Sequence, residues 1–158
     1  MEKLENLKKR YAELQQKHNL PSFKQLNEDF CIEKASEVEV DILIREIRRF
    51  VSDKFLNYMR FIETIMNPTN ASVFIFSVIK TLGEDEKKRL NEIYKKLAKT
   101  ELELIDLDIT YSEEKEAEFI RTFYGLWQDV KNELLEIMDK VKENWNKEIE
   151  KVDRSFIR

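Results

Sequence analysis

One histidine, one cysteine and two glycines narrow the chemistry that this chain of 158 residues can carry. With His18 alone there is no Ser-His-Asp or Cys-His system with a spare base, and no E-x-x-H pair of the kind that builds di-iron bundles. Two glycines cannot make a glycine-rich phosphate loop. Cys31 alone leaves no internal disulfide and no cysteine-based metal cage. It follows Phe30 in an apolar patch, which reads as a small buried thiol. His18 stands beside Asn19 near a helix end, where a cation is favoured, and reads as a capping residue. The expectation is a protein that is not an enzyme, with no cofactor, no metal and no small-molecule substrate.

Two charge constellations remain. Arg45, Arg49, Ser52, Leu56 and Arg60 follow one another at spacings of 4, 3, 4 and 4, with Arg48 and Lys54 on their flanks. Residues 45–60 hold five cations against Glu46 and Asp53, a net of +3. Arginines on one helix face can grip phosphates or carboxylates through two parallel bonds, so Arg45, Arg48, Arg49 and Arg60 are the candidate anion or partner face. Residues 101–118 are the complement, eight acids against Lys115 for a net of −7. Clustered carboxylates suit a hard divalent cation, but no EF-hand type of loop accompanies them. Pairing of the two patches, within one chain or between two, accounts for both. The spacing predicts Arg45, Arg49 and Arg60 exposed and Arg48 paired at the edge of the core. The chain's net charge of −4 and pI near 5.3 oppose general nucleic-acid binding, which needs a positive field.

The elements that must position these residues are helical. Glycine and proline are scarce while Glu, Lys, Leu and Ile abound, which predicts long uninterrupted helices. Residues 3–18 form an amphipathic helix with Leu4, Leu7, Tyr11 and Leu14 on one stripe. Ser22 with Gln25 makes a capping box for a short helix through Phe30, and Ser36 with Glu39 makes a second box, opening a helix that runs to about Met66. Val40, Ile44, Ile47, Val51, Phe55, Tyr58, Ile62 and Ile65 recur there at intervals of 3 or 4 and face the core. Asn67-Pro68 ends the helix, because a residue before proline avoids helical geometry. From Thr64 to Ile79 no side chain is ionisable. That window is too short and too interrupted for a membrane span of about 20 apolar residues. With apolar side chains pointing in nearly every direction, residues 70–82 are expected to be a helix buried on most sides and ended by Gly83, with a strand as the alternative. Another helix runs from Glu84 to about Ile109, although "ELELIDLDITY" partly alternates and a strand is the alternative there.

Ser112 caps the last and longest helix, reaching about Val152. Ile120, Phe123, Trp127, Val130, Leu134, Ile137 and Val141 keep the 3-4 alternation of a bundle seam, and Trp145, Ile149, Val152 and Phe156 continue it. A helix of about 40 residues spans on the order of 60 Å, longer than a compact domain of this size, so residues 139–158 are expected to project. They then need a cover, either the helix of residues 1–20 or another subunit, and Trp145, Ile149, Val152 and Phe156 are the candidate dimer interface. The N-terminus is charged throughout, without the apolar run of a secretion signal, so a cytoplasmic place is expected. The sequence therefore predicts one all-α domain over residues 1–158, an antiparallel bundle of five to six helices with a heptad-like seam. Its predicted role is structural or protein-interacting, with a protein partner or a homodimer and no membrane. The alternative is a nucleic-acid- or phosphate-binding accessory protein that uses the arginine face.

Overall fold

With so few glycines and prolines the backbone has few places to stop, and short polar side chains mark most of its breaks. The computed structural model describes residues 1–156, with side chains described through residue 148. Among the described residues it is an all-α bundle of six α-helices and one 3-10 helix, with no strand. The order is α1 (Glu2–His18), α2 (Phe23–Phe30), the 3-10 helix (Ile32–Glu37), α3 (Leu43–Met66), α4 (Val73–Thr81), α5 (Glu84–Ile109) and α6 (Glu113–Phe156).

The caps explain the boundaries. At α2 the expected box is complete: Ser22 Oγ accepts from the Gln25 N–H at 3.2 Å, and Gln25 Oε1 accepts from the Ser22 N–H at 2.8 Å. Ser72 and Ser112 cap α4 and α6 by accepting from the N–H of Ile75 and of Lys115, each at 3.3 Å. Such caps satisfy N–H groups that have no partner within the helix. The second expected box does not form. The Ser36 hydroxyl donates back to the Glu33 carbonyl at 2.7 Å and closes the 3-10 helix. The chain is extended at Val38, and α3 opens only at Leu43. Left-handed caps fall on Asn19 and Cys31, each with φ 52°, and on neither glycine.

The described residues form two compact units, one of residues 1–57 and 99–127, the other of residues 58–98 and 128–156. In the first, Ile44, Ile47, Val51 and Phe55 of α3 are buried, as are Leu104 and Leu107 of α5 and Ala117, Phe119, Ile120, Phe123 and Trp127 of α6. Aromatic rings fill its middle: Phe55 lies 4.8 Å from Phe123, Phe119 stacks on Phe123 at 5.9 Å, and Phe30 tilts against Phe123 and Trp127 at 6.2 and 6.3 Å. Tyr11 of α1 is buried and donates its hydroxyl to the Pro21 carbonyl at 2.5 Å, and burial pushes its pKa up. In the second unit Met59, Ile62 and Ile65 of α3 are buried, with Leu90, Ile93 and Leu97 of α5 and Val130, Leu134, Ile137 and Val141 of α6. Met59, four residues after Phe55, takes the core place expected of Tyr58, which is exposed.

The uncharged stretch is the clearest departure from expectation. It does fold as a helix, but α4 buries only Val78 and Thr81 along its length, followed by Leu82 just past its end. Asn144 of α6 fixes that end by donating to the Thr81 carbonyl at 2.9 Å. Val73, Phe74 and Phe76 are 86%, 61% and 45% exposed. Nine residues make about two and a half turns, and a single contact side suffices to hold them.

Burial decides what these aromatics contribute to stability. Phe123→Ala should cost about 3–5 kcal/mol, as for a large ring lost from a core. Phe74→Ala should stay within about 0.5 kcal/mol, as for a surface position. Urea unfolding of the two variants checks both values.

Candidate interaction surfaces

The arginines do not share one environment. Arg48 is buried on α3, 3% exposed, and its Nε donates to Glu116 Oε2 at 2.7 Å. Its Nη2 donates to Asp108 Oδ1 at 2.8 Å and to Glu116 Oε1 at 3.4 Å. Glu116, in the first turn of α6, is fully buried. Burial acts to lower the Arg48 pKa, but the bonds and charges of Glu116 and Asp108 outweigh it and raise the pKa above the usual arginine value. Arg49 is exposed and reaches Glu46 on its own helix at 3.4 Å. Arg45 is half-buried, and its Nε is buried without a hydrogen-bond partner. Arg60 is exposed in the other unit. The acids of residues 101–118 are thus split. Asp108 and Glu116 hold Arg48, Glu113 faces α1, and Glu101, Glu103 and Asp106 stand on α5.

His18 is the last residue of α1. Its ring is largely buried, with Nε2 2.7 Å from Glu113 Oε1, and Lys17 Nζ reaches the same oxygen at 3.1 Å. Arg121 of α6 donates to the His18 carbonyl, satisfying one of the acceptors left over at the helix end. Hydrogen bonds from His18 and then Lys17 hold the Glu113 carboxyl below the usual glutamate range. Cys31, expected inside, is exposed: the left-handed turn that ends α2 puts it on the surface.

At the far end of the seam Trp145 is half-buried, its ring 6.0 Å from that of Phe74. Ile149, Val152 and Phe156, the rest of the expected dimer interface, have side chains outside the described residues. What sequence reasoning missed are two apolar faces turned to solvent. One is α4 with Val73, Phe74 and Phe76. The other is on α5, where Leu102, Ile105 and Ile109 are 66%, 51% and 76% exposed while Leu104 and Leu107 are buried. The available signal is the spacing of 3 and 4 among Leu102, Ile105 and Ile109, which marks a second face on the helix expected there. Among the described residues no helix is long and apolar enough to cross a membrane, and no three His, Cys, Asp or Glu side chains gather as a metal site would require. Comparison with family models, with curated proteins and with solved structures finds no match.

The depressed Glu113 carboxyl carries a pH dependence with a definite sign. A pKa lower in the folded chain than in the unfolded one adds stability above the unfolded value, and that stability is lost as pH falls through the folded one. Wild type should therefore exceed Glu113→Gln in urea midpoint at neutral pH. The gap should close on acidification below about pH 4.5, the ordinary glutamate value. Midpoints measured at a series of pH values check this.

Proposed function

We propose that this chain is a protein-interaction bundle without catalytic activity, and that the α4 face takes a second copy of the chain. The carrying observation is that α4 turns Val73, Phe74 and Phe76 to solvent inside a stretch, Thr64 to Ile79, with no ionisable side chain. Large exposed apolar patches mark interaction sites on soluble proteins. Full burial of each such side chain is worth about 1.5–3 kcal/mol. From Val73 to Ile79 the helix carries no charge, and Lys80 stands at its C-terminal end as its one ionisable side chain, which leaves little like charge to oppose a second copy. A two-fold interface sets a patch against its own copy, and a charged patch on a chain of net −4 would oppose itself. Phe74 already rests against Trp145, so the aromatic surface extends onto α6, and aromatic side chains are the usual anchors of interfaces. A cytoplasmic place suits the exposed thiol of Cys31, since a reducing compartment keeps lone thiols free.

Sedimentation at micromolar concentration tests the reading. The 19.1 kDa chain should run as a dimer, and Phe74→Ser combined with Phe76→Ser should return it to a monomer with little change in unfolding midpoint. A monomer at every concentration, or a dimer indifferent to the double substitution, would reject it.

A further inference from the structure

The last turns of α5 present a second apolar face, and its surroundings differ from those of α4 in one respect: charge. Leu102, Ile105 and Ile109 follow each other at spacings of 3 and 4, so they form one stripe along the helix. They stand on the side away from Leu104 and Leu107, which are buried. Helical geometry sets Glu101 and Asp108 along one edge of the stripe and Asp106 along the other. Beside the Asp106 edge, an open groove of about 300 Å³ between α5 and α6 is lined by Glu103, Asp106 and Glu118, with Lys115 the only cation. Asp108 is drawn to Arg48, but Glu101, Glu103 and Asp106 make no ion pair among the described residues. An apolar helix face is thus left uncovered, bordered by Glu101 and Asp106, which make no ion pair among the described residues.

We infer that this face docks a basic amphipathic helix of a partner protein, its aliphatic side seated on Leu102, Ile105 and Ile109 and its lysines or arginines along the acidic edges and in the groove. The complementarity decides among occupants. A second copy packed through the same stripe would bring the unpaired Glu101 and Asp106 of both copies to one interface, and like charges across an interface suppress pairing. An anionic membrane surface would be repelled for the same reason. A helix is the fitting shape because residues at 3 and 4 apart on one helix interdigitate with the same rows on another. The inference shares with the α4 reading only the view of this protein as an interaction module. It concerns a different face and stands or falls separately.

The experiment uses the full chain and two synthetic amphipathic peptides with the same aliphatic stripe, one flanked by lysines and arginines, the other by glutamates. Fluorescence anisotropy should show the basic peptide binding at least about tenfold more tightly in about 0.05 M salt. The preference should collapse toward unity near 0.5 M, where the screening length falls to a few ångströms. Ile105→Lys should weaken the basic peptide about tenfold or more, and Leu102→Ser, which leaves the charge unchanged, should weaken it too. Binding should persist in the Phe74→Ser/Phe76→Ser background, which separates this face from α4. No binding, equal binding of both peptides, indifference to both stripe substitutions, or self-association abolished by Ile105→Lys would each overturn the inference.

Discussion

The buried pair between Arg48 and Glu116 constrains the first unit more than any other single contact. Both groups are almost wholly out of water, at 3% and 0% exposure, and removing two charges from water costs several kcal/mol for each ion. That cost is offset only where geometry is close, and here Nε and Oε2 meet at 2.7 Å. A second oxygen and Asp108 take the remaining Nη2 bonds. Meeting this condition requires α3, the last turn of α5 and the opening turns of α6 to be placed together. Glu116 also sits close to the start of α6, where a negative charge is favoured by the helix dipole. Such a pair adds little net stability over an apolar substitute. What it adds here is register.

Register has consequences along each helix. On α6 the turns after Glu116 bring Phe119, Phe123 and Trp127 round at intervals of four, and they meet Phe55 and Phe30 from the other elements of the unit. Lys54 covers the edge of that cluster, its ammonium 5.6 Å from the Trp127 ring, and donates to the Asp29 carbonyl. On α5 the tether through Asp108 settles which side faces inward. Leu104 and Leu107 are committed to the core, and Leu102, Ile105 and Ile109 are left outward. The interior ion pair and the exposed stripe are therefore two results of one arrangement. In the other unit α4 is held by Val78, Thr81 and Leu82 and by the bond from Asn144, which leaves Val73, Phe74 and Phe76 exposed. The two outward faces differ in the physical property that selects partners: one carries a single cation, Lys80, at its end, the other is bordered by acids.

Where one strong periodicity acted alone, the sequence was readable. The α6 seam from Ile120 to Val141 is buried at each of its seven positions, because a 3-4 repeat sustained over several turns admits one inward face. The Ser22–Gln25 box was equally plain, being a purely local contact. Ser36 and Glu39 show the same pattern without the result, since the Ser36 hydroxyl had a nearer acceptor in the Glu33 carbonyl. In α4 the density of apolar residues concealed which side was inward, because hydrophobicity all round gives no direction. In residues 101–111 two apolar faces on one helix overlaid their periods and imitated the alternation of a strand. Arg48 lies deeper than the core edge expected of it; the opposite charges of residues 45–60 and 101–118 announced a pairing, but not that Glu116, 68 positions away, is the buried partner. Long-range pairing of this kind is a property of the fold and not of any window of sequence.

If the pair fixes register, its two members act as a unit, and a double-mutant cycle at positions 48 and 116 measures that coupling directly. Arg48→Met should destabilise by about 3–5 kcal/mol, since it leaves Glu116 as an unpaired buried charge, and Glu116→Leu, which leaves Arg48 with Asp108 as its partner, should destabilise by less. The double variant should then lose much less than the sum, with a coupling energy of about 2 kcal/mol or more, in the range known for residues in direct contact. Additive losses, or single variants that unfold no more easily than wild type, would contradict the account.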